Sequence, residues 1–327
     1  MTPGSTSETR APARRSRAGA LALRLTGRLA GGVFVLWAVA TLTFFAIRLI
    51  PGDPAQAVLG GPGSQASEEA LAAARAEYGL DQPILVQYLL QLGRLATGDF
   101  GSSYSLRTEV APLLLSQLSG TLLLAGLSLA IAWLLALLVA TWTTRGTRAA
   151  EWVGSGLEIV GAGLPHFWLA TLVILVFSVG LGWLPPISTP GPLGLVLPVL
   201  TLAVPLAGFL GQVMRESLLD ALDSPYALSA RARGESETGV RLVHALRHAA
   251  LPGISLSGWA FGYLISGAVV VETIFARPGL GRTLLNAVTL RDVPVVIGVV
   301  MIVALTYILV TVLTDLLGRI VDPTARA

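Results

Sequence analysis

The sequence lacks lysine and cysteine, and charged residues are scarce. All 22 basic residues are Arg, so no Lys is present to reach nucleotide phosphates in a P-loop or to form a Schiff base. The absence of Cys excludes disulfides, thiolate nucleophiles and cysteine metal sites. Charged residues make up 13% of the chain, about half of the ~25% found in soluble domains. These absences exclude an ordinary ATPase and a thiol enzyme, and they argue against a soluble fold.

Histidine is also scarce, with only His166, His244 and His248 present. His244 and His248 are four residues apart and would share a helix face, but no acidic cluster accompanies them. We interpret them as part of a solvated basic face and predict no metal site. The sequence also has no HExxH motif, no nucleophile elbow and no paired intramembrane carboxylates with a His. We therefore predict no catalytic residues, which disfavours an intramembrane enzyme.

Long apolar runs are the main feature that the sequence does have. Hydrophobic residues make up 54% of the chain, and several runs reach the ~20 residues that cross a bilayer core. We predict an all-α polytopic membrane protein with six transmembrane helices near residues 29–50, 119–142, 157–181, 195–214, 255–275 and 295–317. The third and fourth runs contain Pro165, Pro198 and Pro205, and such kinks are tolerated where neighbouring groups satisfy the freed backbone.

The first apolar run could be a cleavable signal peptide or a retained span. It is longer than a usual signal core and ends in Arg48 and Pro-Gly-Asp-Pro rather than a small-residue cleavage site. We interpret residues 29–50 as a retained span. The Arg-rich residues 1–28 are then a cytoplasmic tail.

A long polar region, residues 51–112, separates the first two spans and is called the cap below. Residues 67–78 and 83–96 resemble amphipathic helices, so we expect a small folded unit. Residues 113–318 would form a five-helix core that includes a polar loop at 220–250, and residues 319–327 a second tail.

The placement of Arg predicts the orientation. One set of loops contains Arg145, Arg148 and five Arg between 215 and 247, whereas loop 182–194 contains none. Both termini are therefore predicted to be cytoplasmic, with the cap outside. Arg277, Arg282 and Arg291 violate this pattern, and we expect them to pair with acidic neighbours such as Asp292.

The polar loop at 224–247 is the most informative segment. It is rich in Arg and helix-prone, Pro225 suits a first helical position, and Gly234 allows a sharp exit. A helix-turn-helix is expected, with Ala227 and Ala230 forming a flat face that docks on a soluble partner. The alternative is an amphipathic helix resting on anionic lipid, and the residues alone do not decide between the two.

Several motifs in order along the chain resemble permease subunits of ABC importers, specifically the B-type subunit of the dipeptide/oligopeptide (and nickel) permease family. The Tyr226–Gly234 segment resembles the EAA signature of these subunits, although Leu228 stands where the general signature has Glu. The other matching segments are Arg48-Leu-Ile-Pro-Gly-Asp-Pro54, Tyr78-Gly-Leu-Asp-Gln-Pro83, Gln87-Tyr88, Gly98-Asp-Phe-Gly101, Pro165-His-Phe-Trp168, Leu181-Gly-Trp-Leu-Pro185, His244-Ala-Leu-Arg247, Leu251-Pro252, Glu272-Thr-Ile-Phe275, Pro278-Gly-Leu-Gly281, Arg291-Asp-Val-Pro294 and Asp322-Pro323.

The resemblance implies a type I ABC importer permease fold in a bacterial plasma membrane. It implies no cofactor in this chain, with ATP and Mg held by one fused or two separate ATPase subunits. Its other implied partners are a second permease subunit, an extracytoplasmic substrate-binding protein and the lipid bilayer, with no nucleic acid. Residues 225–245 would couple to the ATPase through Tyr226, Ala227, Ser229, Ala230, Arg231, Arg233, Gly234 and Glu235.

Two further groups of residues are candidates for transport roles. Glu272, with Phe275, Pro278 and Gly279, would line a translocation path or gate, and the alternative is a structural pair of Glu272 with Arg277 or Arg282. In the cap, Asp81, Asp99 and Glu109 would contact the binding protein, and the alternative is a lid over the pore mouth.

The leading hypothesis is thus an ABC importer subunit that carries peptides. Nickel chelates or another small solute are the alternative cargo. An ion-coupled secondary transporter is less consistent, because the spans show no inverted repeat and few intramembrane acids.

Overall fold

The computed structural model describes residues 17–49, 52–60 and 65–321. Its helices, with two π-helical segments, are α1 Arg17–Arg48, α2 Ala55–Val58, α3 Glu68–Glu77, α4 Ile84–Ala96, α5 Val110–Thr143, α6 Arg148–Gly163, α7 His166–Val173 continuing as a π-helix over Ile174–Gly180, α8 Leu193–Leu222, α9 Pro225–Ala232, α10 Glu237–Gly239 continuing as a π-helix over Val240–Ala245, α11 Leu246–Ile274, α12 Leu280–Leu290 and α13 Val293–Val321. The β-pairing in the described residues is a single isolated bridge between Ser102 and Glu109. The predicted all-α class is confirmed.

Five helical stretches in the described residues are long and apolar enough to cross a membrane. They lie at Thr26–Arg48, Val110–Thr143, Leu193–Leu222, Glu237–Ile274 and Val293–Thr314. A sixth crossing exists if the bent pair α6 and α7 is one span. Helix α1 begins at Arg17, so the predicted tail at 1–28 is helical from there, and residues 1–16 lie outside the described part. At the other end α13 continues to Val321, and residues 322–327 lie outside it.

The predicted third span over 157–181 is broken at Pro165. Helices α6 and α7 meet at an angle of 108°. Leu164 is extended, with φ −76° and ψ 120°, and it precedes Pro165. A residue before proline is pushed out of the α region by the proline ring, so the helix stops there and restarts at His166.

Helix α8 lies at the centre of the core, against α5, α6, α7 and α11. Its side chains Leu202, Leu206 and Leu210 are fully buried. Pro198 lies inside α8 without ending it. Because Pro198 has no N–H for the Gly194 carbonyl, that carbonyl accepts instead from Ser188 Oγ at 2.9 Å. A side chain of the neighbouring loop thus satisfies the carbonyl that Pro198 leaves free.

In the cap, helices α2 and α3 pack against each other. Helices α3 and α4 begin and end within a residue of the predicted limits. Its interior contains Ala55, Val58, Leu71 and Ala74. An ion pair of 2.5 Å joins Arg75 and Asp53 beside it. Burial raises the pKa of Asp53, but the hydrogen bonds from Arg75 and the Ala55 N–H outweigh it and lower that pKa below its ordinary value.

Asp292 anchors the cap to the core. Its buried carboxylate accepts hydrogen bonds from the Ser103 hydroxyl (2.5 Å), the Ser105 hydroxyl (2.7 Å) and the backbone N–H groups of Tyr104 (3.1 Å) and Ser105 (3.0 Å). The expected pairing of Asp292 with a neighbouring Arg is therefore wrong, because cap donors occupy both carboxylate oxygens.

Candidate coupling loop and buried carboxylates

Local sequence rules explain the short helix α9. Ser224 caps its first turn by accepting from the Ala227 N–H at 3.4 Å, and Pro225 occupies the first helical position. Gly234 follows the helix with φ +85°, a left-handed conformation that favours glycine. The helix therefore begins and ends where the sequence predicts.

The orientation of α9 differs from the predicted one. Ala227 and Ala230 are fully buried. They pack in one apolar cluster with Leu218, Leu222 and Val240. The prediction that Ala227 and Ala230 form the flat docking face is wrong, because their small side chains instead let α9 approach the end of α8 and the segment after α10.

The opposite side of α9 is exposed. It presents Tyr226, Leu228, Ser229 and Arg233 to the surroundings. The Tyr226 ring lies 4.8 Å from the ring of His248, so the start of α9 also contacts α11. A partner that approaches this loop would meet these side chains, and Leu228 contributes an exposed apolar contact that the predicted site did not include.

Two predicted coupling residues brace the loop internally. Arg231 donates to Glu237 at 2.8 Å and to the Leu222 carbonyl at 2.9 Å. The hydrogen bond with Glu237 raises the pKa of Arg231 and so favours the charged form of the Arg231 guanidinium. Glu235 lies 2.7 Å from His244 Nε2. These contacts tie α9 to the end of α8 and to the segment that leads into α11.

Glu272 lies at a junction of three helices. Its carboxylate is fully buried, and it accepts from Thr121 Oγ1 at 2.5 Å and from the backbone N–H groups of Gly281 at 2.8 Å and Arg282 at 3.1 Å. Thr121 in turn accepts from the Leu280 N–H at 2.8 Å. The carboxylate therefore caps the N-terminus of α12 and joins it to α5 and α11.

The environment of Glu272 differs from the ion pair weighed from the sequence, and the translocation-path role stays a prediction. Among the described residues no guanidinium forms an ion pair with it, so the expected pair with Arg277 or Arg282 is wrong. A Cβ at Gly279 would overlap the Glu272 carboxylate, which explains a glycine there. Phe275 and Gly279 are buried and Pro278 is exposed, so the four candidate gate residues form a packed junction.

Sequence reasoning missed one buried carboxylate. Glu158 in α6 is buried and accepts from Arg215 Nε of α8 at 2.8 Å. Gly208 permits the contact, since a Cβ there would lie 2.6 Å from the Glu158 carbonyl. An acidic residue inside an apolar run was the available signal. The pair holds α6 on α8, about three helical turns before the coupling loop begins.

The predicted binding-protein contacts are all exposed. Asp81 follows α3, Asp99 accepts from the Gly101 N–H at 2.8 Å, and Glu109 precedes α5. Asp99 and Glu109 lie at a cleft of about 760 Å³ between the cap, α1 and α13. The structure brings these two together and leaves Asp81 away from the cleft lining.

The family comparison decides the identity of the chain. Residues 132–327 match the binding-protein-dependent transport system inner membrane component. Residues 22–125 match the N-terminal membrane component of the same systems. The chain belongs to this family of ABC importer permeases. It is a multi-pass plasma-membrane subunit of an ABC importer, and it is not itself the enzyme of the system.

Known proteins of similar sequence cover almost the whole permease. The glutathione transport system permease protein GsiC of Salmonella choleraesuis (strain SC-B67) is 37% identical over 306 residues, which are 91% of this chain and 97% of that protein. A putative peptide transport system permease protein of Brucella abortus (strain 2308), BAB2_1050, is 38% identical over 314 residues, again 91% of this chain and 97% of that protein. The resemblance to peptide-type permeases is confirmed.

Solved structures support the fold of this permease. The inward-facing MetNI methionine ABC transporter contains a chain that aligns with a TM-score of 0.53 at 20% identity, covering 64% of this permease and 96% of that chain. An amino acid ABC transporter crystallised with histidines aligns with a TM-score of 0.51 at 22% identity, covering 64% and 94%. These likenesses concern the fold alone.

Proposed function

We propose that this permease forms half of a membrane path for peptides. A substrate-binding protein delivers the peptide at the cap, and a second permease subunit supplies the other half of the path. Relatives named as glutathione and putative peptide transport permeases support this cargo. Both termini and the coupling loop lie on the cytoplasmic side in this proposal.

The coupling loop, residues 225–245, receives the motion of the ATPase subunits, which bind ATP and Mg. The observation that carries this proposal is the two-sided arrangement of α9. Its buried side fixes it to α8 through Ala227 and Ala230, and its free side offers Leu228 and Arg233 to a partner. A push on the free side is therefore transmitted to α8 at the centre of the bundle.

The Glu158–Arg215 pair extends this transmission to α6. It lies on α8 between the coupling loop and the core, at 2.8 Å. Breaking a buried pair by removing one partner costs about 3–5 kcal/mol, so α6 and α8 move together at that point. Loop motion would thus shift both halves of the bend at Pro165.

A charge on the free side of α9 tests the coupling. Leu228→Glu places a carboxylate where an apolar contact with the ATPase is proposed, and the amount of ATPase that co-purifies with the permease should fall sharply. The matched control is Leu106→Glu, because Leu106 in the cap is 56% exposed and Leu228 is 58% exposed. Equal co-purification of ATPase by the two variants would contradict the proposal.

The cargo has its own test. The assembled complex is purified with its binding protein, and the molecule held by that protein is identified by mass spectrometry. A peptide is expected. Recovery of a nickel chelate or another non-peptide solute, with transport of that solute and no uptake of peptides, would overturn the peptide assignment and leave the coupling proposal intact.

A further inference from the structure

Helix α4 presents its apolar side away from the rest of the protein. None of its residues is buried, and between 39% and 65% of the surface is exposed at each of Leu85, Val86, Leu89 and Leu90. Its half-buried residues include Gln87, Tyr88 and Gln91. Residues 83–93 contain no charged side chain. This pattern is reversed relative to a helix on a water-soluble surface, where the apolar side faces the core. The outward face of α4 therefore requires an apolar surrounding.

Tyr88 shows how deeply α4 lies along the first span. The Trp37 indole N–H donates to the Tyr88 hydroxyl at 3.1 Å, and Thr41 Oγ1 lies 2.8 Å from the same oxygen. The Tyr88 ring also packs on Phe44 at 5.4 Å and Phe45 at 5.6 Å between ring centroids. Thr41 precedes the end of α1 at Arg48 by two helical turns, which is about 10 Å along the axis. The Tyr88 hydroxyl thus lies about 10 Å along the helix axis from Arg48, towards the apolar middle of α1.

The apolar face of α4 continues the exposed apolar surface of α1. Within the apolar part of α1, 11% of residues are buried. The exposed fractions are 70% at Leu42, 44% at Phe45 and 82% at Leu49, next to the Tyr88 contact. An apolar patch on this scale, contiguous with a spanning helix, indicates membrane contact. In water, the apolar faces of both α4 and α1 would be exposed to solvent, which is unfavourable.

We propose that α4 is an interfacial helix embedded in the bilayer leaflet at the Arg48 end of α1. Leu85 and Leu89 contact acyl chains, and Tyr88 fastens the helix to the span. Gln87 and Gln91 line the cleft behind the helix. Gln87 Oε1 accepts from Arg48 at 2.5 Å there. This part of the cap is therefore a membrane element, and α4 separates the polar cleft from the lipid.

The absence of native cysteine makes a direct test simple. Leu89→Cys is labelled with a bimane fluorophore in the full transporter complex in nanodiscs, once with ordinary lipid and once with lipid brominated in the acyl chains. Leu42→Cys on α1 is the lipid-facing control. Ala73→Cys on the exposed side of α3 is the aqueous control. Aqueous iodide is the second quencher, and Leu85→Cys repeats the measurement at a neighbouring exposed position.

The proposal predicts that brominated lipid quenches Leu89→Cys within about twofold of Leu42→Cys. Iodide should quench only Ala73→Cys. Strong iodide quenching at Leu89→Cys and Leu85→Cys would place α4 in water and overturn the proposal. Protection from both quenchers would overturn it too, because a protein partner would then cover this face. Neither outcome depends on the cargo or on the coupling loop.

Discussion

Replacing Glu272 with Gln keeps the size of the side chain and removes its charge. The carboxylate accepts three hydrogen bonds in a fully buried site. A bond to a charged group contributes about 1.5–3 kcal/mol and a neutral one about 0.5–1.5 kcal/mol. The charge also interacts with the N-terminus of α12, which is worth about 0.3–2 kcal/mol. We expect Glu272→Gln to destabilise the permease by about 2–4 kcal/mol, and Glu272→Ala by more, because it leaves buried donors without partners.

The assay is thermal unfolding of the complex followed by intrinsic tryptophan fluorescence. At this chain length a loss of 2–4 kcal/mol lowers Tm by about 3–6 °C. Thr121→Val removes the hydroxyl that donates to Glu272 and accepts from Leu280, so the double variant should show a coupling energy of about 1–2 kcal/mol.

Two results would refute this reasoning. One is a wild-type Tm for Glu272→Gln, and the other is strict additivity with Thr121→Val. If Glu272→Gln assembled with unchanged Tm and nevertheless lost transport, the translocation-path role considered from the sequence would be favoured over the structural role.

Three further predictions concern other contacts. Gly208→Leu should separate α6 from α8 and lower stability by about 1–3 kcal/mol in thermal unfolding, whereas Gly156→Leu, where a Cβ meets nothing within 4 Å, should not. Asp292→Asn should weaken the anchor of the cap and increase its cleavage in limited proteolysis, and an unchanged cleavage rate would contradict the anchor. Because the folded-state pKa of Asp53 is lowered by Arg75, its stabilisation of the cap is present above the unfolded pKa of about 3.9 and is lost as pH falls through the folded value. Proteolysis of the cap should therefore rise in acid less steeply in Arg75→Gln than in wild type.

The sequence predicted where the long helices lie better than it predicted where a helix is interrupted. Apolar length located the five stretches that could cross a membrane in the described residues, because a bilayer core requires about 20 apolar residues whatever their neighbours. Proline did not show which helix would bend. Pro165 separates two helices at 108°, whereas Pro198 stays within α8, where Ser188 satisfies the freed carbonyl of Gly194. That difference depends on a neighbouring loop, which local sequence does not reveal.

Sites that join distant parts of the chain were the least predictable. Glu272 and its donor Thr121 are 151 residues apart, and Asp292 meets Ser103 across 189. The small residues Ala227 and Ala230 were predicted to face a partner, whereas they pack inward against Leu218 and Val240 of neighbouring segments. Residue type therefore predicted the kind of contact, and the tertiary fold determined the partner.

The most direct test of the central claim is a crosslink from α9 to the ATPase. Leu228→Cys, the only cysteine in such a chain, is labelled with a photoactivatable maleimide in the assembled transporter and illuminated with and without ATP. We predict an adduct with the ATPase subunit whose yield changes when nucleotide binds. An adduct only with lipid or with another permease, in both nucleotide states, would contradict the proposed transmission of force through this loop.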